Sequence, residues 1–256
     1  MIDTHSHIDG PEFAADINEV ILRAKTAGVE KIYVPAIDLK GLPNLIDTCQ
    51  HYPKYLFPMI GLHPEEVKED YNDILKQLYT FLKNDKSKRF IAVGEVGLDF
   101  YWDDTFKSQQ LDALEQQIHW AIEFNLPLML HVRKAYNEVI ELLERHRKDN
   151  LRGVFHCFSA SKEIAEHLLS FPNFMLGIGG VLTFKNSNLP EVLKAIVPLS
   201  RIVLETDSPY MAPIPYRGKR NESAFIFEVA KKLSEVYNCK IEEISLQTNK
   251  NCNIFT

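Results

Sequence analysis

The sequence predicts an α/β protein, a (β/α)8 TIM barrel formed as a single domain over residues 1–256. Three observations point there. Short apolar runs alternate with amphipathic stretches along nearly the whole chain. Eight of those runs read as strands. Residues of metal-binding type gather where the runs end.

The candidate strands are Met1–His7, Lys31–Ile37, Tyr55–Leu62, Phe90–Val96, Pro127–Val132, Arg152–Phe158, Asn173–Gly179 and Arg201–Asp207. Several are apolar on both faces, as parallel strands covered on both sides should be. In Phe13–Ala27, Phe13, Ile17, Val20, Ile21 and Ala24 recur at helical spacing, and Gly28 follows as a C-terminal cap. Leu111, Leu114, Ile118, Ala121 and Ile122 make a stripe in Phe106–Phe124. Phe225, Val229, Leu233 and Val236 repeat it in Ala224–Tyr237. A doubly wound open sheet is the alternative architecture. The long irregular stretch Ser208–Asn221 holds Pro209, Pro213, Pro215 and a basic run, and a loop of that length in a compact domain usually carries function.

Composition narrows the function classes. With 29 Lys+Arg against 35 Asp+Glu, the net charge of −6 excludes coating nucleic acid by bulk charge, though not holding phosphate in a local basic patch. Cys49, Cys157, Cys239 and Cys252 show no CxxC spacing, which argues against a disulfide framework and a thiolate zinc site. No apolar run reaches the ~18 residues a membrane helix needs. No signal peptide is evident at MIDTHSHID. The default expectation is a cytoplasmic, monomeric protein.

His5 and His7 close the first predicted strand, Glu95 the fourth, His131 the fifth, His156 the sixth and Asp207 the eighth. In a barrel that rim carries the active site, because the loops from strand to helix open there. Side chains alternate across a strand, so Asp3, His5 and His7 are expected to point one way, and Glu205 and Asp207 to pair likewise. Nitrogen and carboxylate donors without thiolate suit Zn, Mn, Fe, Co or Ni, with Mg at the oxygen-rich part. The donors exceed one tetrahedral site, so two divalent cations bridged by a carboxylate fit better, with Glu95 the natural bridge. A lone HxH pair is more often a cap or core feature; coincidence at strand ends changes the odds. His51, His119, His146 and His167 have no such context and are expected to be solvated, and Cys157 is expected to face the helical layer.

The motifs DTHSHID at Asp3–Asp9, GLHP at Gly61–Pro64, GEVGLDFYW at Gly94–Trp102, HVR at His131–Arg133, FHCFS at Phe155–Ser159, LETDSPY at Leu204–Tyr210 and RGKRNE at Arg217–Glu222 run in order along the chain. In them the sequence resembles the TatD family of metal-dependent deoxyribonucleases, among the amidohydrolase-like barrels. The resemblance implies that His5, His7, Glu95 and Asp207 hold a first metal. It implies that Glu95, His131 and His156 hold a second, and that His63 and Arg217 contact substrate phosphate. Departures are modest: Val96 stands for the family's usual Ile, Phe100 for its Tyr, and Ile254 for Leu in the closing TNKNCNIF.

Phosphodiester cleavage needs an activated water, a neutralised phosphate and an oriented leaving group. A divalent metal acidifies water, and a carboxylate beside it can take the proton. Asp207 is the candidate general base, acting with the bridging Glu95, and Asp9 and Glu205 are candidates to orient the histidines, with salt-bridge or capping roles equally open. Arg217, Lys219 and Arg220 follow the last proposed ligand, on the same rim, where a guanidinium fork matches phosphate. Tyr101 and Trp102 are candidate base-stacking residues, and Arg133 a candidate substrate contact. The leading expectation is a phosphodiesterase acting on DNA, a 3′–5′ exodeoxyribonuclease of single-stranded ends, its direction implied by the resemblance alone. The alternative is a metallohydrolase of ester or amide bonds, such as an aminoacyl-tRNA deacylase or lactonase.

Overall fold

The computed structural model describes residues 1–101 and 105–255. Eight strands appear among them: β1 (Ile2–Asp3), β2 (Lys31–Val34), β3 (Leu56–Pro58), β4 (Val93–Asp99), β5 (Leu128–Arg133), β6 (Gly153–Phe155), β7 (Phe174–Ile178) and β8 (Ile202–Leu204). Between and after them run α1 (Ile17–Thr26), α2 (Leu42–His51), α3 (Tyr71–Lys83), α4 (Lys107–Glu123), α5 (Tyr136–Arg145), α6 (Lys162–Leu169), α7 (Leu189–Ile196), α8 (Ile226–Tyr237) and α9 (Ile241–Asn251).

All pairings are parallel, within one sheet of β1–β3 and another of β4–β8 in chain order. Hydrogen bonds join the two sheets at both seams. At one, Thr4 N–H donates to Leu204 O (3.0 Å), Asp207 N–H to His5 O (2.9 Å) and His7 N–H to Ser208 O (2.8 Å). At the other, Ile60 N–H donates to Ala92 O (3.1 Å) and Gly94 N–H to Ile60 O (2.9 Å). The strands therefore close into the expected (β/α)8 barrel.

Strand alternation splits the core in two. Outward side chains meet the helices in one large cluster that includes Val20, Ile32, Leu75, Ile118, Leu130, Phe155, Ile178 and Leu233. Inward side chains Ile2, Tyr33, Met59, Ala92, Met129, Val154 and Val203 form a second cluster that fills the barrel. Cys252 and Phe255, from the turn after α9, join it, and Phe255 meets Tyr33 edge-on with ring centroids 4.8 Å apart. The interior is packed from below, so only the rim at the strand C-termini is left for polar groups.

Most strands are shorter than the apolar runs suggest; β4 instead runs three residues further, to Asp99. The reason lies at the rim. Cys157 (φ 49°) and Asp207 (φ 56°) adopt left-handed backbone just past the ends of β6 and β8, which breaks the regular strand geometry there. Gly28 follows α1 at φ 82°, as a glycine after a helix end should. His146 departs from expectation: it is buried, with Nε2 2.7 Å from Glu115 Oε1 and Nδ1 2.9 Å from Asp149 Oδ2. Packing of α5 against the layer, invisible in a lone histidine, buries it. His51, His119 and His167 are more than half or nearly half exposed.

The α3–β4 connection is folded around one carboxylate. Asp85 Oδ2 accepts from the N–H groups of Arg89 (2.6 Å) and Phe90 (3.3 Å), and Oδ1 from Ser87 Oγ (2.6 Å) and Arg89 Nε (3.0 Å). Burial alone would raise this carboxyl; the hydrogen bonds outweigh it and hold the group below its ordinary value. Asp85→Ala is expected to lose roughly 1–3 kcal/mol of stability, read by urea unfolding, because backbone donors lose their acceptor. A depressed carboxyl stabilises fully above its unfolded value of about 3.9 and progressively less as pH falls through the folded one. The difference between wild type and Asp85→Ala should therefore shrink only in strong acid.

Candidate metal centre

Glu95 is buried on β4, with its two oxygens facing two groups of imidazoles. Oε2 lies 3.0 Å from His5 Nε2 and 3.5 Å from His7 Nε2. Oε1 lies 2.9 Å from His131 Nδ1, 2.9 Å from His156 Nε2 and 3.3 Å from His63 Nε2. Asp207 Oδ1 completes the first group, 3.8 Å from His5 Nε2 and 3.6 Å from His7 Nε2. His156 stacks on His5 with centroids 4.0 Å apart and so lies beside both groups. All six sequence-predicted ligands thus meet at one place, from β1, β4, β5, β6 and β8 or the residues just after them.

The donors fit divalent cations. Nitrogens of His5 and His7 approach to 3.2 Å, and those of His131 and His156 to 3.3 Å. Glu95 Oε2 is buried without a hydrogen bond among the described residues. Lone pairs that crowd together in this way are stable only around positive charge. Triplets His5–His7–Glu95 and His5–His156–Asp207 each present donor atoms within 4.8 Å of one another. Burial opposes charge on Glu95, yet the imidazoles, His156 first, hold its carboxyl well below the usual range. Asp207 is likewise held down, chiefly by its hydrogen bond with His7 against the cost of burial.

Partners behind the rings set their tautomers. His131 Nε2 faces Asp99 Oδ2 at 2.8 Å, which places a proton there and leaves Nδ1 as the donor to the centre. His156 turns Nε2 inward toward Glu95, while its Nδ1 stands 3.6 Å from Glu205 Oε1, an ion-pair distance without a hydrogen bond among the described residues. His63 is the reverse case: its Nδ1 accepts from Glu65 N–H at 3.2 Å, so the neutral ring carries its proton on Nε2, the atom that faces the centre. That makes His63 a hydrogen-bond donor at the rim, in keeping with a phosphate contact.

Asp99 is a functional residue beyond those expected from the sequence. The signal was present, because Glu95, Gly97 and Asp99 alternate onto one face of a strand. Gly97 (φ 146°) is required there, since a Cβ would stand 1.9 Å from His131 O. Gly177 clears space for Glu205 on β7, where a Cβ would stand 2.1 Å from Oε2.

Other placements differ from expectation. Asp3 does not join the histidines; it accepts from Thr206 N–H (2.9 Å) and Thr206 Oγ1 (2.7 Å), bracing β1 against the end of β8. Glu205 and Asp207 lie beyond β8, and the left-handed turn at Asp207 separates their roles: Glu205 backs His156 and accepts from Cys157 N–H. Cys157 follows the end of β6. Its backbone is left-handed (φ 49°) and its N–H is held by Glu205, while burial first, then the carboxylates of Asp207, Glu205 and Glu95, push the thiol well above its ordinary value. Asp9 feels His7 electrostatically, but His7 Nδ1 has no hydrogen-bond partner among the described residues.

The basic run divides. Arg220 grips Asp16 through two hydrogen bonds of 2.6 and 2.8 Å and donates to Glu12 O at 2.6 Å. Asn221 Nδ2 is buried on Thr206 O and Tyr210 O, and Glu222 pairs with Arg23. Arg217 alone of these lines a cleft of about 590 Å³ with Ser159, Val181, Phe184 and Lys185, its guanidinium 3.7 Å from the Phe184 ring centre. The cleft is built from the loops after β6, β7 and β8, on the same rim as the metal ligands. Tyr101 is half exposed with the Arg133 guanidinium 3.8 Å over its ring; Trp102 lies outside the described residues.

Asp99→Ala is expected to weaken metal binding about 10–100-fold, as loss of such a partner typically does. Competition with a chelator, read by elemental analysis, measures it. Unchanged affinity in a folded variant would leave Asp99 with a structural role only.

The family model described as TatD related DNase matches residues 2–255. The chain is 34% identical over 252 residues to YabD of Bacillus subtilis, named an uncharacterized metal-dependent hydrolase, covering 98% of this chain and 96% of that one. YcfH of Escherichia coli K12, with the same designation, is 29% identical over 255 residues, covering 98% and 93%. The crystal structure of YjjV, a TatD homolog from Escherichia coli K12, superposes with a TM-score of 0.92 at 31% identity, covering 100% of this chain and 97% of that one. Together with the buried histidine–carboxylate centre on the rim of a parallel barrel, these likenesses show that the chain belongs to the TatD family of metal-dependent hydrolases.

Proposed function

We propose that the protein is a divalent-metal-dependent phosphodiesterase that removes nucleotides from the 3′ ends of single-stranded DNA, with residues 1–256 acting as one catalytic domain. The observation that carries this reading is Glu95, whose two oxygens address two imidazole groups on the same rim as a cleft bearing Arg217. In the proposal His5, His7, Glu95 and Asp207 hold one cation, and Glu95, His131 and His156 a second, of the Zn, Mn, Ni or Mg class. When bound, the cations supply Lewis acidity to the phosphate and acidify water.

The remaining work falls to the chain. Asp207, ionised at neutral pH and 15% exposed, has a carboxylate oxygen available to take a proton from water at the rim. His63 offers its Nε2 proton, and Arg217 its guanidinium fork, to phosphate oxygens. The cleft beside Arg217 gives the neighbouring nucleotide a place with both an aromatic ring and cations.

The deciding experiment supplies Mg2+, Mn2+ or Zn2+ with oligonucleotides labelled at either end, in single- and double-stranded form, beside RNA and an aryl ester. Stepwise shortening from the 3′ end of single-stranded DNA is expected; faster cleavage of the carboxylic ester would transfer the site to the ester hydrolases. Asp207→Asn should lower kcat about 10²–10⁴-fold with metal content measured on the same sample. Near-normal kcat with metal bound would remove Asp207 as the base. Arg217→Ala should raise KM and reduce the steepness of the salt dependence by about one phosphate contact, with an unchanged melting temperature. Arg220→Ala, which breaks the Asp16 pair, should instead lower the melting temperature.

A further inference from the structure

A second cluster of metal-binding groups sits in the outer helical layer, away from the rim. Glu115 and His119 are four residues apart on α4 and share a face. His146 ends α5 against them. His146 Nε2 is 2.7 Å from Glu115 Oε1, His119 Nε2 is 3.9 Å from the same oxygen, and donor atoms of all three lie within 4.8 Å of one another. The two imidazoles stand edge to face, 5.2 Å between centroids and 87° between planes.

The protons do not balance for a simple ion pair with a neutral ring. Both nitrogens of the buried His146 face carboxylate oxygens, Glu115 on one side and Asp149 on the other, at 2.9 Å for the latter. A neutral imidazole has one N–H, so one contact needs a further positive charge. A proton can supply it, and so can a metal ion. With a metal on Nε2, the Nδ1 proton remains for Asp149, the carboxylate–histidine–metal arrangement that fixes a ligand ring. Arg145 Nη1, 3.8 Å from Glu115 Oε2, holds the other oxygen and leaves Oε1 to the cluster.

The geometry points to a zinc-class cation site formed by His146, His119 and Glu115, with water in the fourth position and Asp149 orienting His146. Ligands ~2 Å from zinc stand ~3.3 Å apart in a tetrahedron, within the span these atoms already cover. Two nitrogens and one oxygen favour Zn2+ over Mg2+ or Ca2+, which prefer oxygen shells. The ion would clamp α4 to the end of α5, outside the barrel.

The test uses the full chain with its rim centre loaded. Wild type, His119→Ala and Glu115→Gln are dialysed against Zn2+, and zinc per chain is counted by elemental analysis beside the melting temperature. His119 is 61% exposed on its side chain, so its truncation leaves the fold intact. Wild type is expected to hold one more zinc than either variant. Added Zn2+ should raise its melting temperature by several degrees and leave that of the variants unmoved, with hydrolytic activity equal in wild type and His119→Ala. Equal zinc content and equal thermal response in wild type and His119→Ala would overturn the site. A response to Mg2+ as large as that to Zn2+ would overturn its assignment to the zinc class.

Discussion

A carboxylate at the mouth of a packed barrel can be ionised only if positive charge meets it there. Glu95 has 2% of its side chain exposed, and burial opposes its charge more than any other influence. Imidazoles from four other strand ends converge on it, and their lone pairs in turn leave room for cations and little else. The surrounding structure follows from this. Gly97 lets β4 approach β5 closely enough to bring His131 to Glu95, and Gly177 leaves β7 without a side chain where Glu205 must stand behind His156. Asp3 and Thr206 lock the seam between β1 and β8, which fixes His5 and His7 against Asp207.

The polar centre rests on an apolar one. Inward side chains from β1, β2, β5, β6 and β8, with Met59 and Ala92, fill the barrel, and Phe255 and Cys252 join them from the C-terminal turn. Close packing makes this lower half rigid, so the ligands above it are held by strands that do not shift independently. This rigid base supports the centre from below, while the strand ends and loops above it carry the ligands and the cleft.

The long loop after β8 joins the two. Its last part is anchored, with Arg220 on Asp16, Asn221 under Thr206 and Tyr210, and Glu222 on Arg23. These contacts tie it to α1 and to the residues around Asp207. Arg217 stands outside that anchor, over Phe184, and faces the cleft. Two arginines three residues apart therefore serve different ends, one holding the loop and one presenting charge.

The sequence by itself determined the barrel and the ligand types. Alternating apolar runs and amphipathic stretches have periods set by local geometry, and the motifs around His5, Glu95, His131, His156 and Asp207 are local as well. Residues such as Asp99 and His146 were decided only by tertiary structure. Asp99 becomes a partner of His131 because β4 and β5 lie side by side in a fixed register, and His146 becomes buried because α5 ends against α4. The same holds for Asp3 and Arg220, whose partners Thr206 and Asp16 lie some two hundred residues away along the chain. Periodicity reports which face of an element a residue occupies. What stands opposite that face is fixed only when distant elements pack together.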